Sequence, residues 1–268
     1  MTAAKLLRRG LSDHRRALVG WCVGIAAYVA LVASIFPSVE SSPEFDKLIE
    51  SYPDVLKNLF GIGEGGSITT GAGYLDIELF SFMLPLLVLV LAIGSGARAV
   101  AGEEDAGRLE LVLAYPLRRR DAVLAKGAAV AVEVATACLA AGLMILAFDP
   151  LVGLDLSAGR LAEGLAYLTA LGLFYGWAAL AVGAAVPSRA LAVGVPAGAA
   201  AAAYLVNGLH DVAGWLDPFR FLSPFWLAGS SPLQGGVDAV GVVVIGVVGV
   251  AVLVAGSYLI ERRDLETP

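Results

Sequence analysis

The chain has 268 residues, 58% of them hydrophobic and only 16% charged, with a mean hydropathy of +0.80. Soluble domains run at roughly 45–50% apolar and about 25% charged residues, so composition excludes an ordinary soluble globule and points to a membrane protein. A net charge of −6 excludes a general nucleic-acid binder, which needs a basic face. The two cysteines, Cys22 and Cys138, both lie in apolar runs, which excludes a disulfide framework or a CxxC pair.

Residues 1–16 set Lys5, Arg8, Arg9, Arg15 and Arg16 around Leu6, Leu7 and Leu11, with Leu7 and Leu11 on one helix face. Such a segment is an interfacial helix with its basic side toward anionic headgroups, or a basic leader that only sets topology. Residues 17–36 carry no charge over 20 positions, enough for one membrane crossing. The run is too long for a signal-peptide core and no A-x-A site follows, so it is a first span.

Residues 37–78 form an acidic loop, in which only Lys47 and Lys57 oppose eight carboxylates. Within it Phe45, Leu48, Ile49, Tyr52, Leu56 and Leu59 repeat at helical spacing, which predicts an amphipathic helix bent or broken at Pro53. Residues 61–73 are glycine-rich and turn-like.

Further spans are predicted over 79–97, with Pro85 kinking it near its start, and over 127–148, 161–186, 190–209 and 237–260. The fifth is rich in Ala and Gly and holds Pro196, so a buried helix of the soluble type is its alternative. Pro187, Ser188 and Arg189 join the fourth and fifth into a tight helical hairpin. The pairs Gly20/Gly24, Gly172/Gly176 and Gly194/Gly198 predict close helix packing without identifying a dimer face.

Six spans put both termini on one side. Segments 1–16, 97–126, 187–189 and 261–268 hold fourteen of the eighteen Lys and Arg residues. The opposite segments hold Lys47, Lys57, Arg160 and Arg220. Positive residues stay inside, so both termini and the 97–126 segment are expected in the cytoplasm, and 37–78 and 210–236 outside. The last outer loop crowds Trp215, Phe219, Phe221, Phe225 and Trp226 between Pro218 and Pro224, which suits a re-entrant or surface-lying hairpin at the membrane interface. It is either part of a substrate exit or a simple interfacial lid.

Catalytic motifs are absent. No Walker A pattern occurs, and the nearest glycine cluster, GIGEGGSITTG, lacks the phosphate-binding lysine. Gly61, Gly63 and Gly66 match G-x-G-x-x-G but follow no strand. There is no G-x-S-x-G or H-E-x-x-H, and His14 and His210 form no ligand pair. Glu133 is the one acid well inside a span, a position that is expensive to occupy. It either carries a proton or meets a cationic substrate, or it is a hydrogen-bonded glutamate facing the bundle or a polar vestibule. Glu163 and Asp238 sit at span ends, where water reaches them.

The most charged stretch between apolar runs is 102–126. Glu103, Glu104 and Asp105 come first, then Leu109, Val112 and Leu113 on one helical face, then Pro116 and the basic Arg118, Arg119 and Arg120. A charged loop lying on headgroups accounts for the arginines but not for three acids, which an anionic surface repels. An apolar stripe with charged flanks suits a groove on a partner protein.

This stretch resembles the cytoplasmic loop of ABC-2-type transporter permeases, the membrane subunits of ATP-binding cassette exporters. The family's acidic pair, glycine, Leu-Glu-Leu-Leu run, proline and basic residues fall on Glu103, Glu104, Gly107, Leu109, Glu110, Leu111, Val112, Pro116, Arg118, Arg119 and Lys126, with Arg108 in place of a common threonine. The basic amphipathic start resembles the family's connecting helix, and Leu222-Ser223-Pro224 before the last span also fits. The resemblance implies an all-α polytopic permease, a single domain over 1–268, in a prokaryotic plasma membrane. It implies that residues 102–117 form a coupling helix region seated on a separate ATPase subunit, which binds the ATP and Mg; this chain then needs no cofactor and performs no catalysis. It further implies a second permease chain, identical or paralogous, with the pathway for a hydrophobic or amphipathic substrate between the two, and export as the direction. Two other classes compete. A proton-coupled secondary transporter predicts an internal repeat, and none is evident. A membrane-embedded enzyme using Glu133 needs a second titratable group within the membrane, and the spans offer none by sequence.

Overall fold

The computed structural model describes residues 3–42, 51–59, 67–105, 107, 118–229 and 231–261, and, of these, side chains from His14 onward except at 54, 58 and 59. Among these residues every regular element is helical. Apolar runs of this length have no other good solution, because a backbone in hydrocarbon must satisfy its own N–H and C=O groups.

Helix α1 (Ala3–Glu40) is one rod that passes without a break from the basic start into the first apolar run. A short α2 (Asp54–Leu59) follows Pro53. α3 (Gly71–Asp105) is composite, with π-turns at Asp76–Phe80 and Arg98–Gly102 flanking the α-helical piece Met83–Ala97. α4 (Arg119–Val152), α5 (Ala158–Ala185) and α6 (Arg189–Leu209) come next. A 3-10 segment (Gly214–Leu222) and the short α7 (Pro224–Ala228) lead to α8 (Ala239–Leu259). Among the described residues six helices are long and apolar enough to cross a membrane: α1 from His14, α3, α4, α5, α6 and α8. They cover the six predicted spans to within two residues, the fourth and sixth predictions overrunning their helices slightly, so the fold is an all-α polytopic membrane bundle.

The helix ends follow local chemistry. Pro85 has no N–H to offer the carbonyl of Ser81, and the break in α3 falls at Ser81 and Phe82, just ahead of the proline rather than on it. Gly153 closes α4 with φ +70, a left-handed cap that glycine adopts without a Cβ clash. The Ser188 and Asp238 side chains accept from Leu191 N and Val240 N and start α6 and α8. Asp238 is thus explained as an N-cap. Gly71 and Gly73, expected in a turn, instead form the first helical turn of α3, whose Thr70 cap accepts from Gly73 N. Gly61 to Gly66, with the G-x-G-x-x-G match, lie outside the described residues, as do residues 43–50 of the predicted loop helix.

The core is organised on α5, which packs against α3, α4, α6 and α8, while α1 packs on α4. Only one of the three small-residue pairs accounts for this. A Cβ at Gly96 would lie 2.0 Å from the Gly176 carbonyl oxygen, and a Cβ at Gly172 would meet Val88 and Val134. Gly172/Gly176 is therefore where α3 and α5 nearly touch. Cβ atoms at Gly20, Gly24, Gly194 and Gly198 would meet nothing within 4 Å. Those two pairs make no tight contact with the described residues of the chain, a correction that follows from which faces of α1 and α6 point outward. α6 is among the least buried of the six long helices, which removes the alternative of a buried helix of the soluble type.

Candidate functional site

Three features stand out, one at the basic end of the bundle, one along its side and one at the opposite end.

At the basic end α3 runs out into the 102–118 stretch and α4 returns from it. The Lys126 ammonium donates to the Glu103 carboxylate and to the Ala99 carbonyl, joining these two arms at their base. Glu103, read from sequence as part of a docking surface, is thus engaged inside the chain. Glu103, Glu104 and Asp105 form the last helical turn of α3, Gly107 has φ +63, and Arg118 is the extended residue that caps α4. Arg119 begins that helix. Arg108, Leu109, Glu110, Val112, Leu113 and Pro116 lie outside the described residues, so the coupling helix itself is not described.

Two turns further into α4 comes Glu133, 4% exposed. Ser95 Oγ of α3 donates to its Oε2 at 2.5 Å. Arg98 Nη2, from the second π-turn of α3, donates to the same serine oxygen at 3.1 Å. His14 Nδ1 of α1 stands 3.8 Å from Glu133 Oε1. The glutamate is therefore hydrogen-bonded within the bundle, at the point where α1, α3 and α4 meet. Sequence reading found no titratable partner for it within the spans. Its partners, His14 and, through Ser95, Arg98, stand just beyond the predicted ends of the first and second spans, 119 and 35 positions away in sequence. The only sequence signal was their common position near the basic end of adjacent spans. One more buried bond, from Trp177 Nε1 of α5 to the Gly127 carbonyl of α4 at 2.9 Å, ties the hub helix to the same end.

Along the side, α3 and α6 diverge to leave a groove of about 600 Å³. Its walls are aliphatic and small toward the basic end, with Ile93, Gly94 and Val193, and aromatic toward the opposite end. There Phe82, Tyr204 and Phe225 stack in a row, ring centroids 5.6 and 5.5 Å apart. A volume of this size suits a drug-sized molecule, for which sites of about 300–1,000 Å³ are usual. Sequence reading did not find this groove, because its two walls are 99 or more residues apart.

At the end opposite the basic loops, Asp76 is buried at 2% exposure. Its carboxylate accepts from Leu233 N at 2.9 Å and Gln234 N at 2.9 Å. Of the crowded aromatics in the last loop, Trp215, Phe219 and Phe221 are exposed on the 3-10 segment, as an interfacial location requires, while Phe225 is turned inward. Arg220 stacks on Phe221 and Trp226 and donates to Asp217 at 2.8 Å. Glu163 meets Arg160 at 3.4 Å on the exposed surface.

A bundle of six long apolar helices, with a buried polar junction at one end and a drug-sized apolar groove on its side, defines a polytopic α-helical membrane protein. Residues 10–259 match the family described as multidrug efflux system permease Rv1217c, C-terminal domain. The chain belongs to that family and is a transporter permease. No curated protein matches it.

Proposed function

We propose that the chain is an ABC-2-type permease that exports hydrophobic or amphipathic molecules, powered by a separate ATPase subunit docked on 102–117. The multidrug efflux description of its family supports the substrate class. The observation that carries the proposal is the groove between α3 and α6, an apolar space of drug size on a helix that continues directly into the docking stretch. Substrate enters it from the bilayer or the cytoplasm, with the aliphatic walls accommodating varied shapes and the aromatic row contacting flat ones. The two arms of the docking stretch are joined by Lys126 to Glu103 and, about two turns deeper, by Glu133 to Ser95. A push on the stretch therefore moves α3 and α4 as a pair, and α3 carries one wall of the groove. Transport follows from the substrate's different affinity for the states so produced. Positive charge places the docking stretch and both termini in the cytoplasm, and a second permease chain completes the pathway. The ATP and Mg belong to the partner subunit. Glu133 is in this scheme a joint within the bundle, whereas a role as proton carrier would favour the secondary-transporter alternative.

The test is copurification with a Walker-type ATPase subunit encoded beside the permease. Leu109→Asp with Leu113→Asp is expected to abolish the complex while the permease still inserts. An undiminished complex removes the coupling helix from the mechanism.

A further inference from the structure

One outward stripe runs along α3. Glu78, Phe82, Leu86 and Val90 are exposed, and every residue between them is buried or half-buried. Phe82, Leu86 and Val90, with Gly94 at the next step of the same spacing, belong to the α3 wall of the groove. Glu78, in the π-turn Asp76–Phe80, is the next position of the stripe beyond the aromatic end. At 1.5 Å per residue it stands about 6 Å past Phe82 along the helix. The groove itself carries no charge, and the Tyr204 hydroxyl is the only polar side-chain group among its lining residues. The charged head of an amphipathic guest therefore finds no partner inside and has to be met at the rim.

Two properties set Glu78 apart from the other acids of this end. Among the described residues no hydrogen bond or ion pair engages it, whereas Asp76 accepts from two backbone N–H groups and Glu163 and Asp217 are paired with arginines. It also lies deeper than its place at the end of the first predicted outer loop suggests. Tyr74, four residues nearer the outer end, donates its hydroxyl to the Val32 carbonyl of α1 at 2.9 Å. Val32 is itself four residues short of Phe36, where the first predicted span ends. Tyr28, four residues further in along α1, is within electrostatic reach of Glu78. The carboxylate is thus level with the apolar run of α1, on the order of 10 Å in from its outer end. An unpaired acid at that depth is costly and marks a functional position. No free cation of the outer loops competes for it from Arg220 or Arg160, which are engaged by Asp217 and by Glu163 with the Gly235 carbonyl. Phe82, the next residue of the stripe, adds a ring, and ring faces attract quaternary ammonium groups.

We propose that Glu78 is the charge-selecting residue of the groove and that the groove takes cationic amphiphiles, with the apolar body between α3 and α6 and the cationic head on the Glu78 carboxylate. This names the substrate class of the site already described and rests on that reading of the groove, but it requires neither the ATPase nor its docking.

The test uses two fluorescent probes of one shape, a dansyl alkyl amphiphile ending in a trimethylammonium group and its neutral tert-butyl analogue. Each is titrated onto the full chain in discs of zwitterionic phospholipid, without nucleotide, with empty discs as the blank. Glu78→Gln is expected to weaken binding of the cationic probe about fivefold, the loss of a partly screened ion pair, and to leave the neutral probe unchanged. Glu78→Lys reverses the charge, and is expected to weaken the cationic probe further and again to spare the neutral one. Tyr204→Ala removes a part of the wall common to both probes and is expected to weaken both. Unchanged affinity of Glu78→Gln for the cationic probe, or an equal loss for both probes, overturns the proposal and leaves the groove in place as a site. Tyr204→Ala with no effect on either probe removes the groove as the site, and the proposal with it. Should Glu78→Gln fail to insert, Glu78→Lys decides by the same criteria. Because no ATP is used, a failed docking experiment leaves these results standing.

Discussion

Glu133 offers the sharpest quantitative expectation. Its carboxylate receives the Ser95 hydroxyl at 2.5 Å, Ser95 receives Arg98 at 3.1 Å, and His14 stands 3.8 Å away. Glu133→Gln preserves the size and an acceptor but loses the charge. A hydrogen bond to a charged group contributes about 1.5–3 kcal/mol and a neutral one about 0.5–1.5, so the change costs about 1–1.5 kcal/mol. The His14 contact adds at most about 1 kcal/mol, because that side chain is partly exposed and its pairing is screened. Glu133→Ala leaves the Ser95 hydroxyl, itself the acceptor for Arg98, without its own acceptor inside the bundle, and breaking such a buried arrangement costs about 3–5 kcal/mol. At about 2–4 °C per kcal/mol for a chain of this size, Gln lowers the melting temperature by about 2–10 °C and Ala by about 6–20 °C. Cys138 provides the assay. It is a free thiol, 2% exposed, on the same helix. In a Cys22→Ser background it reacts with a fluorogenic maleimide only as the bundle opens. If Ala and Gln melt within about 1 °C of each other and of the parent, well under the expected spread, then neither charge nor hydrogen bonding at this junction stabilises the bundle, and the reasoning fails.

Two further outcomes are expected. Gly96→Val drives a side chain into the Gly176 carbonyl, a backbone atom that cannot swing aside; it should cost at least about 1–3 kcal/mol in the same melting assay, whereas Gly20→Val, which meets nothing, should stay within about 0.5 kcal/mol of the parent, and equal effects would refute the close α3–α5 approach. Tyr204→Ala removes the middle ring of the groove's aromatic row; with one ring contact to a bound dye at about 0.5–1.5 kcal/mol, binding of a fluorescent aromatic dye should weaken by about two- to thirteenfold, and unchanged affinity would take the row out of the proposed substrate site.

The membrane class, the six spans and the asymmetry of basic residues were all legible in the sequence, because each depends on local composition. A long uncharged run in hydrocarbon has to be helical wherever its neighbours lie. The tight α5–α6 hairpin was legible for the same reason, since turns are set within a few residues, whereas Asp238 read only as a span-end acid and its role as a cap came from the structure. Small-residue spacing was less reliable. It marked Gly172/Gly176 correctly as a contact and Gly20/Gly24 and Gly194/Gly198 incorrectly, because spacing puts two glycines on one face but says nothing about what that face meets.

Tertiary structure alone decided the rest. Glu133 was visible as an expensive residue, but its partners come from α1 and α3, and no local pattern joins His14, Ser95 and Arg98 to it. Asp76 read as one of many loop acids until folding placed it against Leu233 and Gln234, 157 and 158 residues away. The groove has walls drawn from α3 and α6, whose apolar faces look in sequence like any lipid-facing surface. Local burial and backbone pairing are written residue by residue; the meeting of distant polar groups and the gaps between helices depend on how whole rods are arranged, and only the packed bundle fixes that.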